Sequence, residues 1–396
     1  MTMPDRRSGI PQRGALPVGP VITAPAVAHS RIEALSREGQ SAAAIEEADS
    51  YYSSLPWYAN FAATCLDPGE RLRLYELSSG TDQPIVLFLR ERADRFGPLP
   101  ARTLASLTNY YSCGFSITGL DSAADGSTDG AGRIANWARE LRRGKNRPDR
   151  IAFDALDAPS PSFDALVAGL RDAGYLVETY PQFGNWYLTV HAPDFDAYWA
   201  GRDARLRNTV ERKERKLRRE HQMTMEIVDA PNDAERAIAA YEEVYAQSWK
   251  TPEPYGTFIP GLIRTGFATA VATVGLLRLE DRPVAAQLWI RHRHRQQHRA
   301  TIFKLAHTES AKQFSVGSIL TRHMMRHAFE NGRGTSLREI DFGRGDDPYK
   351  RLWLPERRQR WGVIAYEPAT LAGLAYAVRN LGPKAVRRLA RRLLRR

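Results

Sequence analysis

Stretches in which apolar and polar residues alternate are interleaved along this chain with stretches in which apolar residues recur every three to four positions. The first period marks strands and the second marks helices, because side chains alternate across a strand but return to one helix face each turn. In the first half this predicts strands over residues 71–77, 85–92 and 149–156 and helices over 133–142 and 163–173. Residues 175–180 and 185–190 read as two paired strands joined by the turn Pro181-Gln182-Phe183-Gly184. The second half opens on one long helix over 194–221, with Phe195, Trp199, Leu206, Val210 and Leu217 forming a narrow apolar seam among many Arg and Lys. A strand over 223–228, a helix over 234–249 and a hairpin of 272–279 with 283–290 follow. A strand over 299–307 completes a three-stranded antiparallel meander.

That strand leads into the stretch around which the chain is organised. Lys304 and His307 are placed to point into a cleft, and the small polar segment 312–318 ends in Gly317-Ser318 just before a helical run. The first amides of a helix lack internal partners and carry partial positive charge, so this junction suits a phosphate. It equally suits an ordinary capped helix. A strand over 337–342 comes next, then Gly343-Arg344-Gly345-Asp346-Asp347-Pro348-Tyr349-Lys350. Such a loop is useful at the mouth of a site, although Asp, Gly and Pro also make plain solvated turns.

Taken in order, SWK at 248–250, RPVAAQLWI at 282–290, ATIFKLAH, FSVGSIL, EIDFGRGDDPYKRLW and ERRQRWGVIAY resemble the Fem-like and CelD-like (cellulose-biosynthesis protein) branch of the GNAT acyltransferase superfamily. The resemblance implies an α/β fold of the α+β type, with tandem GNAT-like domains of mixed central sheets flanked by helices. It divides the chain into a flexible segment 1–41, a degenerate N-terminal GNAT-like domain 42–192, a C-terminal GNAT domain 193–370 and a basic helix 371–396. It implies acyl-CoA as co-substrate, held by Leu305 and by the junction Ser315, Val316, Gly317, Ser318 and Ile319. Asp346 is the first candidate base and His307 the second, with Tyr349 as proton donor or orienting group. Trp249, Lys304, Asp341 and Lys350 are the substrate-binding candidates, Asp341 with an ordering role in the loop as its other reading. One departure stands out: Gln313-Phe-Ser-Val-Gly317-Ser318 has one residue more than the usual pyrophosphate loop and ends in Ser.

Composition adds limits. The 396 residues are 43% hydrophobic, enough for two moderate cores, and Cys65 and Cys113 make no disulfide framework. No segment is long and apolar enough to cross a bilayer, so a cytoplasmic location is expected. The net charge of +12 invites an anionic partner. In 383–396, Arg and Lys fall on one helical face and Val386, Leu389, Leu393 and Leu394 on the other, a pattern suited to an anionic membrane surface or to docking on the chain's own domain. The basic helix 194–221 reads either as a solvated linker or as a wall attracting phosphate or RNA. His323 and His327 have zinc-compatible spacing, but Met324 stands where a metalloprotease has Glu, and His292, His294 and His298 lie among arginines. No metal is expected.

The leading expectation is an acyl-CoA-dependent N-acyltransferase acting on an amino sugar or an envelope or exopolysaccharide precursor, the acceptor being anionic or linked to a nucleotide or lipid. The alternatives are a Fem-type transferase using aminoacyl-tRNA, the one case in which a nucleic acid would be a partner, and a non-catalytic scaffold of a polysaccharide synthesis complex.

Overall fold

Eleven strands form one sheet in the computed structural model, which describes residues 50–77, 84–120, 129–294, 297–331 and 337–393, without the side chains of 293–297 and 384–393. The strands are β1 (Arg71–Leu77), β2 (Ile85–Phe96), β3 (Leu99–Ser106), β4 (Arg150–Asp157), β5 (Leu176–Thr189), β6 (Met223–Val228), β7 (Ala272–Leu279), β8 (Arg282–His294), β9 (Gln297–His307), β10 (Leu337–Asp341) and β11 (Glu356–Tyr366). Their order is β1-β2-β3-β4-β11-β5-β10-β9-β8-β7-β6. The helices are α1 (Leu55–Thr64), α2 (Gly130–Arg143), α3 (Pro161–Asp172), α4 (Phe195–Ala200), α5 (Ala204–Glu220), α6 (Ala234–Ala246), α7 (Phe258–Ala268), α8 (Val316–Asn331), α9 (Lys350–Trp353) and α10 (Leu371–Leu393).

The order exposes a repeat that the residues do not. In each half an antiparallel meander leads through a helix to one parallel strand: β3, α2, β4 in the first and β9, α8, β10 in the second. This is a tandem arrangement of two like α/β units. The halves are not separate sheets, because β11 crosses back and lies between β4 and β5, pairing antiparallel with both. An aromatic cluster ties the halves from another side: Trp57 of α1 meets Phe258 of α7 edge-on at 5.3 Å, and Tyr111 stacks on Phe258 at 4.2 Å. Each such pair contributes about 0.5–1.5 kcal/mol beyond the area it buries.

Two expectations are corrected. The hairpin through Pro181 and Gly184 is one continuous strand, β5. Pro181 has no amide to give to a ladder, and it sits where the register with β11 slips between Arg360 and Trp361, so no hydrogen bond is forfeited. The long helix over 194–221 breaks at Gly201: Asp203 accepts from the Leu206 amide at 3.0 Å and starts α5 afresh. The meander β7-β8-β9 forms as expected.

Candidate functional site

β9 and β10 run in parallel from His298↔Leu337 to Thr301↔Asp341 and then part. Two features separate them. β9 carries a bulge: Leu288 faces Lys304 and Trp289 faces Ile302, leaving Phe303 with no opposite residue. Beyond β10 the chain is drawn onto β5, where the Phe342 amide donates to the Trp186 carbonyl at 2.9 Å and the Gly345 amide to that of Gly184 at 3.1 Å. The gap holds a cavity of about 490 Å³, with Ile302 to Leu305 on one side and Phe342 to Lys350 on the other. Tyr110, Tyr111 and Cys113, on the strap after β3, and Trp249 and Lys250, after α6, complete the wall.

Positive charge dominates this wall. Lys250, Lys304, Arg344 and Lys350 line it, and Asp347 is the one carboxylate among the lining residues. Lys304 is buried, donates to both oxygens of Glu253 at 2.7 and 3.0 Å, and lies over the rings of Tyr110 and Tyr111 at 4.7 Å each. Lys250 makes no such pair. Burial first, then the neighbouring Lys304 charge, pull its pKa down to about 8 against the opposing pull of Glu253, so a sizeable share of its amines is neutral near that pH.

Lys350 is occupied otherwise. Its ammonium donates to the carbonyls of Arg344 at 2.8 Å and Gly345 at 3.2 Å and pairs with Asp347 at 3.2 Å, which organises the loop. Tyr349 lines the cavity against Phe342. Desolvation, then the Asp347 charge, push its pKa upward, which keeps its proton in place and makes it a poor acid. Asp341 is buried beneath: it accepts from the Gly343 amide at 2.6 Å, from Thr301 Oγ1 at 3.0 Å and from Asn185 Nδ2 at 3.2 Å, an ordering role.

At the amino end of α8, Ser315 adopts the left-handed conformation with φ 58°. The Ser318 and Ile319 amides both donate to the Ser315 carbonyl, at 3.0 and 3.1 Å, so they are not open to a ligand as expected. Val316 and Gly317 start the helix, the Val316 side chain facing the core. His307 is here rather than in the main cavity. Its ring packs on Trp249 at 4.4 Å, its Nδ1 lies 3.0 Å from the Thr308 carbonyl, and a β-carbon on Gly317 would meet the ring at 3.2 Å. That close approach is what glycine provides at 317.

Asp346 is corrected most clearly. It is absent from the cavity wall and receives Arg357 Nε at 2.9 Å and Nη2 at 2.6 Å. These hydrogen bonds lower its pKa and leave it a weak base. The residues that pattern reading overlooked are Lys250, Glu253, Tyr110, Tyr111 and Arg344. A Lys and a Glu flanking two prolines in Lys250-Thr-Pro-Glu253-Pro254 were the available signal.

Elsewhere, His323 Nε2 lies 3.0 Å from buried Glu214, and among the described residues no group of three or more His, Cys, Asp or Glu is placed to hold a metal ion. Among those residues no helix is long and apolar enough to cross a membrane. In α5, Arg205, Arg212, Arg215, Lys216, Arg218 and Arg219 remain exposed.

Residues 204–351 match the family model described as Acetyltransferase (GNAT) domain. Among curated protein sequences none matches the chain significantly. Among solved structures, the C-terminal domain of a putative lysylphosphatidylglycerol synthetase from Agrobacterium fabrum is similar with a TM-score of 0.53 at 14% identity, covering 89% of this chain and 97% of that one. FemX aligns with a TM-score of 0.49 at 10% identity over 75% of this chain and 88% of that one. L-PGS from Bacillus licheniformis aligns with a TM-score of 0.47 at 12% identity over 88% and 95%. The first of these similarities carries the fold.

Proposed function

We propose that the gap between β9 and β10 is an acyl-transfer site that moves an acyl group from a coenzyme A thioester to an amine. The observation that carries this reading is the bulge at Phe303 together with the end of β10 at Asp341, which leaves one edge of β9 open beside the amino end of a helix, within the segment that matches the GNAT domain. The donor's amide arm would pair along Ile302 to Leu305 like an added strand, and its pyrophosphate would meet the amides of Val316 and Gly317.

The acceptor enters as an ammonium and must lose a proton before it attacks. Neutral Lys250 takes that proton in place of Asp346. The amine then adds to the thioester carbonyl, whose oxyanion is held by a backbone amide of β9 near Leu305. Collapse expels the thiolate, to which the Lys250 ammonium gives that proton, while the acylated nitrogen releases its remaining extra proton to water. Tyr349 orients the acceptor rather than acting as the acid.

Arg344, which among the described residues pairs with no carboxylate, favours an acceptor bearing a phosphate or carboxylate, in keeping with an amino sugar or envelope precursor and with the CelD-like resemblance. One specific observation favours a second donor: the exposed cations of α5 would suit the RNA of an aminoacyl-tRNA.

The test is calorimetric titration with acetyl-CoA and longer acyl-CoAs, alongside Ser318→Glu, which puts a carboxylate in the first turn of α8. Saturable binding that the variant weakens is the expected result. Failure to bind any acyl-CoA would remove this donor and direct the search to charged tRNA.

A further inference from the structure

A second cavity of about 210 Å³ lies on the other side of the strap that follows β3. Tyr110 to Cys113 of that strap face the acyl-transfer cavity, and Gly114 to Ile117 line this one. Its position answers to that of the first cavity in the repeat. One opens where β9 and β10 part after Thr301↔Asp341, the other past the carboxyl ends of β3 and β4, where Leu156, Asp157 and the strap residues meet. Ligands of α/β sheets settle at such strand ends.

Its cations come from the second half. Arg360 of β11 pairs with Asp157 at 3.1 Å, but its Nε is buried with no hydrogen-bond partner. Arg299 of β9 also lines the cavity. Among the described residues its guanidinium has no ion pair or hydrogen bond of its own: nearby Glu339, whose pKa burial raises and Arg358 lowers more strongly than Arg299 does, is taken by Arg358 at 2.7 and 2.8 Å. Ser160 and Ser162, at the amino end of α3, stand opposite. Asp157 opposes an anion, but its charge is matched by Arg360. Ser160 is already spent, donating to the Asp157 carbonyl at 2.9 Å and capping the Phe163 amide at 3.2 Å, and Asp164 offsets the helix end, so what remains is an unmatched guanidinium, an unsatisfied Nε and the Ser162 hydroxyl around a space large enough for a tetrahedral oxyanion.

We infer that this cavity binds a phosphoryl group through Arg299, Arg360 and the Ser162 hydroxyl. Both halves of the chain then contribute to this second ligand site, and this holds whether or not the other cavity transfers acyl groups. The group could arrive as free phosphate or as the ester of a phosphorylated metabolite.

The experiment is calorimetry of the full chain with inorganic phosphate and with glucose 1-phosphate, using glucose as the control. Two variants keep it independent of folding. Arg299→Gln removes a side chain that holds nothing else in place, and Ser162→Glu places a carboxylate where it favours the α3 dipole while repelling the ligand. Each is expected to weaken phosphate binding about tenfold or more, with thermal midpoints unchanged. Tighter binding of the ester than of phosphate would identify a metabolite as the source, and equal binding would identify phosphate itself. Ser318→Glu, at the other cavity, should leave this binding intact. No saturable binding by the wild-type chain, or wild-type affinity in either Arg299→Gln or Ser162→Glu, overturns the inference.

Discussion

Lys304 donates to both carboxylate oxygens of Glu253 while its ammonium rests between two tyrosine rings, so a charge inside the cavity is neutralised without leaving it. Side-chain exposure is 9% and 10% for the two residues, so neither has solvent to fall back on. Glu253→Gln should therefore strand a buried ammonium and destabilise the fold by about 3 kcal/mol, and Glu253→Gln combined with Lys304→Met should recover part of that loss. Urea unfolding of the two single variants and the pair measures it. Strictly additive losses would show that the residues act independently.

Lys250 carries the proposed proton transfer. Its neutral form dominates above about pH 8, so the rate of acyl transfer to amine should rise through that pH and level off. Lys250→Met should lower kcat by about a hundredfold or more and abolish that rise. An unchanged pH profile in the variant would assign the proton to another group.

Asp346→Asn should leave kcat/KM within about threefold, less than 1 kcal/mol of transition-state stabilisation, because its carboxylate is spent on Arg357 outside the cavity. A loss of a hundredfold would return Asp346 to the chemistry.

Glu214 is the buried hub that ties α5 to α8. Burial would raise its pKa, but hydrogen bonds from His323 and Arg218 and the charges of His323 and Arg322 outweigh it and hold the pKa at about 2. A carboxylate depressed in the folded state stabilises the fold above its unfolded pKa of about 4.3. That contribution fades as pH falls from there towards about 2. Glu214→Gln should cost about 3 kcal/mol at pH 7 and flatten the acid limb of the stability curve. Equal acid sensitivity in both proteins would place the titration elsewhere.

On α10, Leu371, Leu374 and Val378 are 77%, 44% and 64% exposed on one face, while Ala372, Tyr376 and Ala377 pack inward. The helix backbone continues to Leu393, but the side chains from 384 lie outside the described residues, so the amphipathic reading of 383–396 rests on sequence. From Glu367 onward the chain has no further acid and eight Arg or Lys. Sedimentation with vesicles containing anionic lipid should pull the protein down at low salt, and Leu374→Glu with Val378→Glu should prevent it. Equal binding to neutral vesicles would remove the electrostatic part of this reading.

The meander and the helix after Gly317 were legible because alternation and a helix start both leave strong local marks. α1 and α7 were not. Trp57, Tyr58, Phe61, Phe258, Ile259 and Phe267 are buried and Arg264 is the one exposed charge on the two helices, so little of a polar face betrays the period, and Pro260 looks like a breaker although the first turn of a helix needs no amide there. β5 was misread because Pro181 and Gly184 signal a turn whenever the bulge that accommodates them is out of view. At the site, Leu305, Lys304, Trp249, Tyr349 and Lys350 do gather on one cavity, but no spacing rule could bring Glu253 to Lys304, 51 residues away. Which member of the Asp346-Asp347 pair faces inward is decided by Arg357, eleven residues on.

β11 leaves the second half to fill the slot between β4 and β5. During synthesis, therefore, β4 has a bare edge until residue 366 has emerged, so the first half waits, with unpaired backbone exposed, for nearly the whole chain to be made. A chain interrupted after β10 would leave β4 and β5 each with a bare edge where the two halves now join.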